Sequence, residues 1–475
     1  MDTYRRIAQG LRAAIERGAW QPGDRLLSSR RLAEREEVSL PTAVQALRVL
    51  EADGIIVARP RSGYFVATRR SSEPARSRPP VAAQPVTIAG LARMLFASRS
   101  REVAALGAAL PDPRWLPVAD LQRAVNITAR RIGSAAQIYS VPPGRLELRR
   151  QLARRAARWG ARFGPDDLLL TVGETQAMSI ALRVTCRAGD VVAVESPCYF
   201  GMLLLLESLG LHALEIPTDP RSGLDVGYLE RVLHRRRVAA VLASPTVQNP
   251  LGATMPADTK RRLVRLLARE KIPLIEDDVY GDLCNDNPRS SPCKAYDETG
   301  NVLYCSSASK TLAPGWRIGW IAGGRFHDAV IQARLEETLA GPPLFEAALA
   351  DYLRGSDYDR HLRRFRARIE GSVRAVATRV EAGFPSGTRI ARPRDGFLLW
   401  VELPANLNAL NVHAQALREG ISVSPGHLFS PQSRFTHHLR LNCANEITPQ
   451  LLGAVDKLGQ ICMTLSATAW KGMSP

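Results

Sequence analysis

Lysine is scarce in this sequence. The chain has 64 lysines and arginines, but only six are lysines, at positions 260, 271, 294, 310, 457 and 471. Arginine cannot replace lysine where a side-chain amine must lose its proton to form a Schiff base. Lys310 is the candidate for such chemistry, because it follows the apolar run 302–305 and stands among small hydroxyl residues.

Cysteines and long apolar runs are also few. The seven cysteines of the 475 residues contain no Cys-x-x-Cys spacing, which predicts buried thiols rather than disulfides or metal ligands. No apolar run approaches the length of a membrane span, and the first residues lack the apolar core of a signal peptide. We therefore expect a cytoplasmic protein with no bound metal.

Negative charge is in deficit, and the formal net charge is +18. A basic balance of this size predicts a polyanionic partner, and nucleic acid is the simplest one. The composition, 45% hydrophobic and 23% charged, is ordinary for a globular protein. A chain of 475 residues exceeds one hydrophobic core, so we expect two to four domains.

The first 65 residues predict three short helices and a hairpin. Apolar residues recur at helical spacing in 2–18, a hydroxyl-capped helix follows near 30–36, and a third helix extends from about 39 to 53. Two short apolar runs, 55–58 and 64–66, flank a basic turn. This order predicts a winged helix-turn-helix whose third helix enters the major groove of DNA.

The same segment resembles the GntR family of bacterial regulators. The matching words are Gln21-Pro22-Gly23-Asp24-Arg25-Leu26, Ser29-Arg30-Arg31-Leu32-Ala33, Val38-Ser39, Leu47-Arg48-Val49-Leu50-Glu51-Ala52-Asp53-Gly54 and the wing 59–66. The resemblance implies DNA contacts by Arg30, Ser39, Thr42, Arg61 and Gly63. Leu27 and Leu40 depart from the family, where proline and arginine are frequent; an arginine at 40 would add a guanine contact worth roughly 1–3 kcal/mol. A helix-turn-helix used for protein contacts is the alternative.

From about Ile88 onward, predicted helices alternate with short apolar strands. This alternation predicts an α/β fold with a mostly parallel sheet, helices on both faces, and ligands at the carboxyl ends of the strands. The stretch before it, from Thr68 to about Val86, is rich in Ser, Pro, Ala and Arg and predicts a flexible linker. The strand candidates are 168–172, 191–195, 211–216, 238–243, 272–277, 302–305 and 319–322.

Polar residues suited to one cofactor follow these strands. Pyridoxal phosphate needs an amine for its carbonyl carbon, donors for its phosphate and an acid for its pyridine nitrogen. The candidates are Gly173-Glu174-Thr175 at a helix start, Tyr199 for ring stacking, Asn249, Asp277, Tyr280, and Lys310 with Ser307, Ser309 and Arg317. Ser307-x-x-Lys310 also matches serine β-lactamases, but the Ser-Asp-Asn and Lys-Thr-Gly words which that reading requires do not occur.

Residues 104–462 resemble the fold-type I aminotransferases, which bind pyridoxal phosphate. The resemblance implies that Lys310 forms the internal aldimine, that Asp277 pairs with the pyridine nitrogen, and that Asn249 and Tyr280 meet the ring hydroxyl. Tyr199 would stack on the ring. The phosphate would be surrounded by Gly173, Glu174, Thr175, Ser307, Ser309 and Arg317.

Two further segments carry implications of the same resemblance. Tyr139 lies in a segment that in this class reaches into the partner subunit's site, which implies a homodimer. Arg440, in Leu439-Arg440-Leu441-Asn442, matches the arginine that binds the substrate α-carboxylate. We expect a winged helix-turn-helix at 1–68, a flexible linker at 69–103, a large domain at 104–340, a small α+β domain at 341–463 and a variable tail at 464–475.

The combination resembles the MocR subfamily of GntR regulators. It implies a transcriptional regulator that binds operator DNA as a homodimer, is associated with the bacterial nucleoid, and senses an amino acid or amine by aldimine exchange at Lys310. Two alternatives stay open: a catalytically active aminotransferase with an accessory DNA-binding domain, and a DNA-binding protein whose body only dimerises.

Overall fold

The structure is a computed structural model. It describes residues 3–16, 19–20, 24–52, 55–59, 63–66, 82–97, 104–286 and 289–471. The chain divides into two compact units, Met1–Ser72 and Glu73–Pro475. Within the described residues, no helix has the length and apolar character needed to cross a bilayer.

The amino-terminal unit contains three helices and a two-stranded hairpin. Its core is formed by the inward faces of the helices together with the first and last residues of the hairpin, including Leu32, Leu47 and Ile56. Ser28 caps the second helix, because its Oγ accepts a hydrogen bond from the Arg31 amide. The elements are α1 (Thr3–Glu16), α2 (Ser29–Arg35), α3 (Leu40–Ala52), β1 (Ile56–Arg59) and β2 (Gly63–Val66).

The hairpin strands pair antiparallel, with Ile56 opposite Val66 and Arg59 opposite Gly63. A third short stretch extends this sheet, since the Leu26 amide donates to the Tyr64 carbonyl. Residues 21–23 and the tip of the wing, 60–62, lie outside the described residues.

The second unit begins with elements that the sequence assigned to the linker. Gln84–Pro85 form a strand, β3, and Ala89–Ala97 form a helix, α4. Val86 and Ile88 are buried in the main core of the body. The predicted flexible linker 69–103 therefore differs from the structure over 84–97. The apolar side chains of Val86, Ile88 and Ala92 are enough to dock this short segment on the sheet.

The remaining elements alternate as expected for an α/β fold. Up to residue 233 they are β4 (Ala104–Ala105), α5 (Val118–Ile132), α6 (Leu146–Ala157), β5 (Leu168–Val172), α7 (Glu174–Thr185), β6 (Val191–Ser196), α8 (Phe200–Ser208), β7 (His212–Asp219), β8 (Gly223–Leu224) and α9 (Val226–Leu233). Up to residue 354 they are β9 (Ala240–Ala243), α10 (Ala257–Arg269), β10 (Leu274–Asp277), β11 (Val302–Ser307), β12 (Ile318–Ala322), α11 (His327–Glu337) and α12 (Pro343–Arg354).

Among the described residues, nine strands form one mixed sheet. The order is β3-β7-β6-β9-β10-β11-β12-β5, with β8 paired to β7. The five strands from β7 to β11 run parallel, whereas β12 is antiparallel to both β11 and β5. The expected mostly parallel sheet is therefore correct for the centre, and the antiparallel strands β3, β8 and β12 are the departures that the strand pattern alone did not reveal.

A smaller antiparallel sheet follows the long helix α13. The elements are α13 (Asp357–Gly383), β13 (Arg389–Ala391), β14 (Leu398–Glu402), α14 (Ala409–Arg418), β15 (Ile421–Ser422), β16 (Ser424–Pro425), β17 (His438–Asn442) and α15 (Pro449–Lys471), and the sheet order is β13-β14-β17-β16. β15 pairs instead with β4, which ties the start of the body to this region. The expected variable tail 464–475 differs from the structure, because α15 continues to Lys471.

Candidate functional site

The sheet topology brings the predicted pocket residues to one edge. Strands β6, β9, β10 and β11 are parallel neighbours, so their carboxyl ends lie together. β5 runs in the same direction, since it is separated from β11 by the antiparallel β12. The residues that follow these ends are Gly173 after β5, Tyr199 after β6, Asn249 after β9, Asp277 on β10 and Lys310 after β11.

Arg317 lies at the same edge of the sheet, although the strand that follows it runs in the opposite direction. It immediately precedes β12, whose antiparallel course puts its first residue beside the last residues of β5 and β11. Arg317 has a positive φ of 56°, which turns the backbone sharply into the strand. Its Nη1 lies 3.5 Å from Ser309 Oγ, so the guanidinium stands next to the lysine segment.

The Lys310 amine faces the interior of the body. Its Nζ donates a 2.9 Å hydrogen bond to the Ala109 carbonyl and lies 5.7 Å from the centre of the Tyr280 ring. Burial lowers the pKa of Lys310, Glu174 opposes that effect, and Arg440 adds to it; the resulting pKa is about 8. An amine with this pKa is partly unprotonated near neutral pH and is therefore a competent nucleophile.

Asp277 is held as an oriented carboxylate. Its Oδ2 accepts from Ser244 Oγ at 3.0 Å, and its Oδ1 accepts from the Val279 amide at 3.0 Å. The side chain is only 3% exposed. These two donors fix the orientation of the carboxyl group, which is the group that a protonated ring nitrogen needs as its partner.

Asn249 and Tyr280 lie side by side between Lys310 and Arg440. The Asn249 amide group donates to the Tyr280 hydroxyl at 3.5 Å and accepts from Arg440 Nη1 at 3.2 Å. The Tyr280 ring packs against Phe397 with its plane nearly perpendicular. Burial raises the pKa of the Tyr280 hydroxyl well above its usual value, so the hydroxyl stays protonated and can donate.

The start of α7 and Arg317 form a tight anion cradle. Gly173 has a φ of 77°, and a Cβ atom at this position would come within 2.2 Å of Arg317 Nη2. Glycine is thus required here both by the backbone conformation and by the approach of the guanidinium. Backbone amides at a helix start, a guanidinium and nearby hydroxyls are a donor set suited to phosphate. Those hydroxyls belong to Thr175, which is exposed, and to Ser307 and Ser309, which are buried.

Tyr199 stands at the start of α8, half-buried, beside Phe200. Gly201 makes room for its ring, since a Cβ atom there would lie 2.5 Å from Tyr199 Cε1. The ring lines the same cavity as Lys310.

Arg440 closes the other side of that cavity. The cavity has a volume of about 190 Å³, and its lining includes Lys310, Tyr199 and Arg440 together with residues 107–110 and 422–425. Arg440 is 1% exposed; its Nη2 donates to the Gly107 carbonyl at 2.6 Å and to Ser424 Oγ at 3.2 Å. A guanidinium held in this way can bind a carboxylate with two parallel hydrogen bonds.

A larger cavity of about 980 Å³ adjoins the same strand ends, since Asp278 and Ser307 line it. Its lining includes Trp159, Arg289 and Tyr358 but not Lys310. Its charged groups already bond one another, for example Arg289 with Asp278 at 2.5 Å and with Asp282 at 3.1 Å. The smaller cavity contains both the amine of Lys310 and the guanidinium of Arg440. It is therefore the candidate site for an amine or a carboxylate, although the other cavity is larger.

The segment that contains Tyr139 is fixed at its base and exposed at its tip. Ser140 pairs with Gly341, and its hydroxyl donates to the Glu346 carboxylate at 2.5 Å. Glu346 also accepts from the Arg145 amide, so one carboxylate holds both ends of the turn. Tyr139 itself is 73% exposed and does not reach its own chain's cavity.

Three of the predicted DNA contacts are exposed on the surface of the amino-terminal unit. Arg30 on α2 and Ser39 before α3 are exposed, and Gly63 is exposed with a φ of 98° at the wing. Ser39 Oγ lies 2.8 Å from Thr42 Oγ1 and accepts from the Thr42 amide, which fixes both hydroxyls at the start of α3. Leu40 is 43% exposed beside them. Arg61 falls outside the described residues.

Comparison with known proteins follows the same division. Residues 3–66 match the family of bacterial regulatory proteins of the gntR type, and residues 111–458 match aminotransferase class I and II. The chain belongs to the MocR-type regulators. It is 36% and 35% identical to the HTH-type transcriptional regulators YdcR and YjiR of Escherichia coli, over 97% of this chain and at least 98% of theirs.

The body of this MocR-type regulator also resembles solved enzymes. The α-aminoadipate aminotransferase LysN of Thermus thermophilus, in complex with N-(5'-phosphopyridoxyl)-L-leucine, is 27% identical with a TM-score of 0.73 and covers 79% of this chain and 95% of its own. The fold is thus the fold-type I aminotransferase fold. Pyridoxal phosphate is the cofactor that membership of this family implies.

The residues present fit that cofactor. An amine with a lowered pKa, an oriented buried carboxylate, and a cradle that a single Cβ atom would fill stand at the edge where the strands end. The winged helix-turn-helix adds a DNA-binding unit, so the MocR-type chain is a regulator and aminotransferase fusion.

Sequence reasoning missed four groups that contact the site residues. Ser244 orients Asp277, and its position directly after β9 was the available signal. The carbonyls of Gly107 and Ala109 bind Arg440 and Lys310, but nothing in a run of small apolar residues indicates such contacts. Ser424 Oγ accepts a hydrogen bond from Arg440 Nη2, and no local sequence pattern indicates this contact.

Proposed function

We propose that the chain is a pyridoxal-phosphate-dependent transcriptional regulator that senses an amino acid or amine by amine exchange at Lys310. The observation that carries this proposal is the shared cavity of Lys310 and Arg440, in which an amine and a guanidinium lie close enough to act on one small molecule. Pyridoxal phosphate supplies a carbonyl carbon that a primary amine can attack.

Each pocket residue has a proposed part in holding the cofactor. Lys310 binds the carbonyl carbon, Asp277 keeps the ring nitrogen protonated, and Asn249 and Tyr280 bind the ring hydroxyl; their hydrogen bonds and burial support these roles. Tyr199 stacks on the ring. The phosphate is bound by the amides and hydroxyls of Gly173, Glu174, Thr175, Ser307 and Ser309 and by Arg317.

Arg440 is the proposed selector for effectors that carry a carboxylate. It is buried, positively charged and oriented by Gly107 and Ser424. When a carboxylate arrives, the guanidinium exchanges these neutral acceptors for a charged one, which is the stronger interaction in a site that excludes water. Amino acids should therefore bind better than amines of the same size.

The regulator is proposed to act as a homodimer on DNA. The exposed Tyr139, on a turn held by Glu346, supports a contact with a partner subunit. Two amino-terminal units would then bind two half-sites, with Arg30, Ser39, Thr42, Arg61 and Gly63 on the DNA. For the effector to change DNA binding, it must bind two conformations of the body with different affinity.

A catalytically active aminotransferase is the second candidate. It is favoured by the presence of Lys310, Asp277 and Arg440, which supply the amine, the carboxylate and the guanidinium that turnover would need. The two candidates are separated by measuring the keto acid formed after one equivalent of amino acid, and again after a second keto acid is added. Keto acid that stops at one equivalent per chain supports the regulator. Repeated turnover supports the enzyme.

The test is the visible absorbance spectrum of the full chain after addition of pyridoxal phosphate. We expect a long-wavelength band that Lys310→Ala abolishes and that the exposed Lys271→Ala leaves intact. Titration with amino acids and with amines lacking a carboxylate should shift the band, at lower concentration for the amino acids. The absence of any band in the unaltered chain, or an equal band in Lys310→Ala, would contradict the proposal.

A further inference from the structure

Three potential metal ligands meet on the small antiparallel sheet. Glu402 ends β14, and His438 begins β17 directly opposite it, so the two side chains point to the same face of the sheet. His437, the residue before β17, turns its ring toward the same place, because its Nε2 lies 3.8 Å from Glu402 Oε1. None of the three lines the cavity of Lys310 and Arg440.

The distances within this Glu402–His437–His438 cluster are close to those of a metal site. One nitrogen from each histidine and one oxygen of the carboxylate all lie within 4.8 Å of one another. Tetrahedral zinc, with bonds of about 2.0–2.2 Å, holds its ligand atoms roughly 3.4 Å apart. Small rotations of the partly buried Glu402 and His437 side chains are therefore enough to close the cluster around one ion.

His438 is fixed in place and has a ring nitrogen that is not committed to a protein partner. Its ring stacks on Trp400, with centroids 5.2 Å apart and planes at 24°, and its centroid lies 4.5 Å from that of His437. The residue is 7% exposed, and its Nδ1 has no hydrogen-bond partner among the described residues. Burying a polar nitrogen without a partner is unfavourable, so a ligand at this cluster would stabilise the arrangement.

Arg389 is the competing partner of Glu402. It stands on β13 opposite Glu402, and its Nη1 lies 3.5 Å from Glu402 Oε1. The Arg389 side chain is 44% exposed, so water weakens this ion pair. Arg389 can turn toward solvent and leave the carboxylate to a doubly charged ion.

We propose that Glu402, His437 and His438 are the protein ligands of a zinc ion, with water in the remaining position. Two imidazoles and a carboxylate suit zinc better than magnesium or calcium, which prefer oxygen ligands. The cysteine spacing predicted no metal ligands, but this donor set contains no cysteine. The ion would join the end of β14 to the start of β17, the strand that carries Arg440.

Isothermal titration calorimetry of the full chain, freed of metal with a chelator, tests the site with zinc alone. We expect one ion per chain. His437→Ala and Glu402→Gln each remove a ligand and should weaken binding at least about tenfold, the loss that follows even when a residue that only orients a ligand is changed. Arg389→Ala should tighten binding, because the carboxylate loses its competing cation. The exposed His234→Ala should leave the affinity unchanged.

Cobalt gives a second readout, because it occupies zinc sites and its absorption spectrum reports the ligands. We expect visible bands of nitrogen and oxygen ligation that His437→Ala abolishes, without the intense near-ultraviolet band that a thiolate ligand produces. A thiolate band that persists in His437→Ala would place the ion on the cysteines and overturn the proposal.

Thermal unfolding guards against a variant that does not fold. His438 is left unaltered in these tests, since its ring packs on Trp400. Zinc should raise the Tm of the unaltered chain but not that of a His437→Ala chain that unfolds cooperatively without zinc. Equal zinc affinity in these two proteins, or no binding by either the unaltered chain or Arg389→Ala, would overturn the site. Neither result bears on the proposed function, because pyridoxal phosphate uses none of these residues.

Discussion

The two compact units expose their functional residues in opposite ways. Arg30 and Ser39 lie on the surface of the amino-terminal unit, whereas Asp277, Asn249 and Arg440 are at most 3% exposed in the body. A DNA duplex is bound by charges that keep much of their hydration, but a small effector is recognised where water is excluded. The difference teaches that DNA contacts can be altered with little effect on the fold, while each pocket residue also carries structural interactions.

The largest expected effect is at Arg440, because this residue is both the proposed binding site for the effector carboxylate and a buried group with structural hydrogen bonds. Replacing it with lysine keeps the charge and removes the bidentate geometry, so the affinity for the amino acid that shifts the absorbance spectrum should fall by about 2 kcal/mol or more. Spectroscopic titration measures this loss. The exposed Arg418→Lys should be silent, and an unchanged affinity in Arg440→Lys would remove the residue from the effector site.

The reactivity of Lys310 should follow its lowered pKa. Because the pKa is about 8, the unprotonated fraction of the amine rises about tenfold between pH 7 and 9. The rate at which the cofactor-free chain captures pyridoxal phosphate should rise with it and level off above pH 9. Stopped-flow absorbance gives the profile, and a rate still climbing steeply at pH 10 would mean that the amine is not buried as described.

A substitution of the exposed Leu40 tests recognition of DNA in the amino-terminal unit. Leu40→Arg places a guanidinium at the start of α3, where a guanine contact is worth roughly 1–3 kcal/mol. Selection from random duplexes should yield sites enriched in guanine at one position of each half-site. The conservative Leu40→Met is the control, and identical selected sites for Leu40→Arg and the unaltered chain would show that this residue does not face a base.

The smallest effect is expected for a single phosphate contact. Arg30→Ala should lower DNA affinity about fivefold at physiological salt and reduce the slope of log affinity against log salt by about 0.9. Arg35 on the same helix, which pairs with Glu36 at 2.7 Å, gives the matched control in Arg35→Ala. Equal salt slopes for the two variants would argue against a phosphate contact by Arg30.

The order of the pocket residues was predictable because each follows a strand. The strand 168–172 has the bounds that the apolar run indicates, and parallel strands bring their ends together whatever the details of packing. Arg317 was predicted from its place seven residues after Lys310, but its route to the site depends on the antiparallel β12, which a short apolar run does not reveal.

Other features depend on tertiary contacts that no local pattern encodes. The docking of 84–97 rests on Val86, Ile88 and Ala92, too few apolar residues to stand out beside a segment rich in proline and serine. The helix through Lys471 is the continuation of an apolar face that ends near Cys462 in the core.

The most direct test of the account joins the two units in one measurement. The affinity of the pyridoxal-phosphate-loaded full chain for a duplex selected by the unaltered protein is measured with and without the amino acid that shifts its spectrum, and again for Lys310→Ala. We predict that the amino acid changes the affinity of the unaltered chain and leaves that of Lys310→Ala unchanged. The same change in both proteins, or no change in either, would contradict sensing through Lys310.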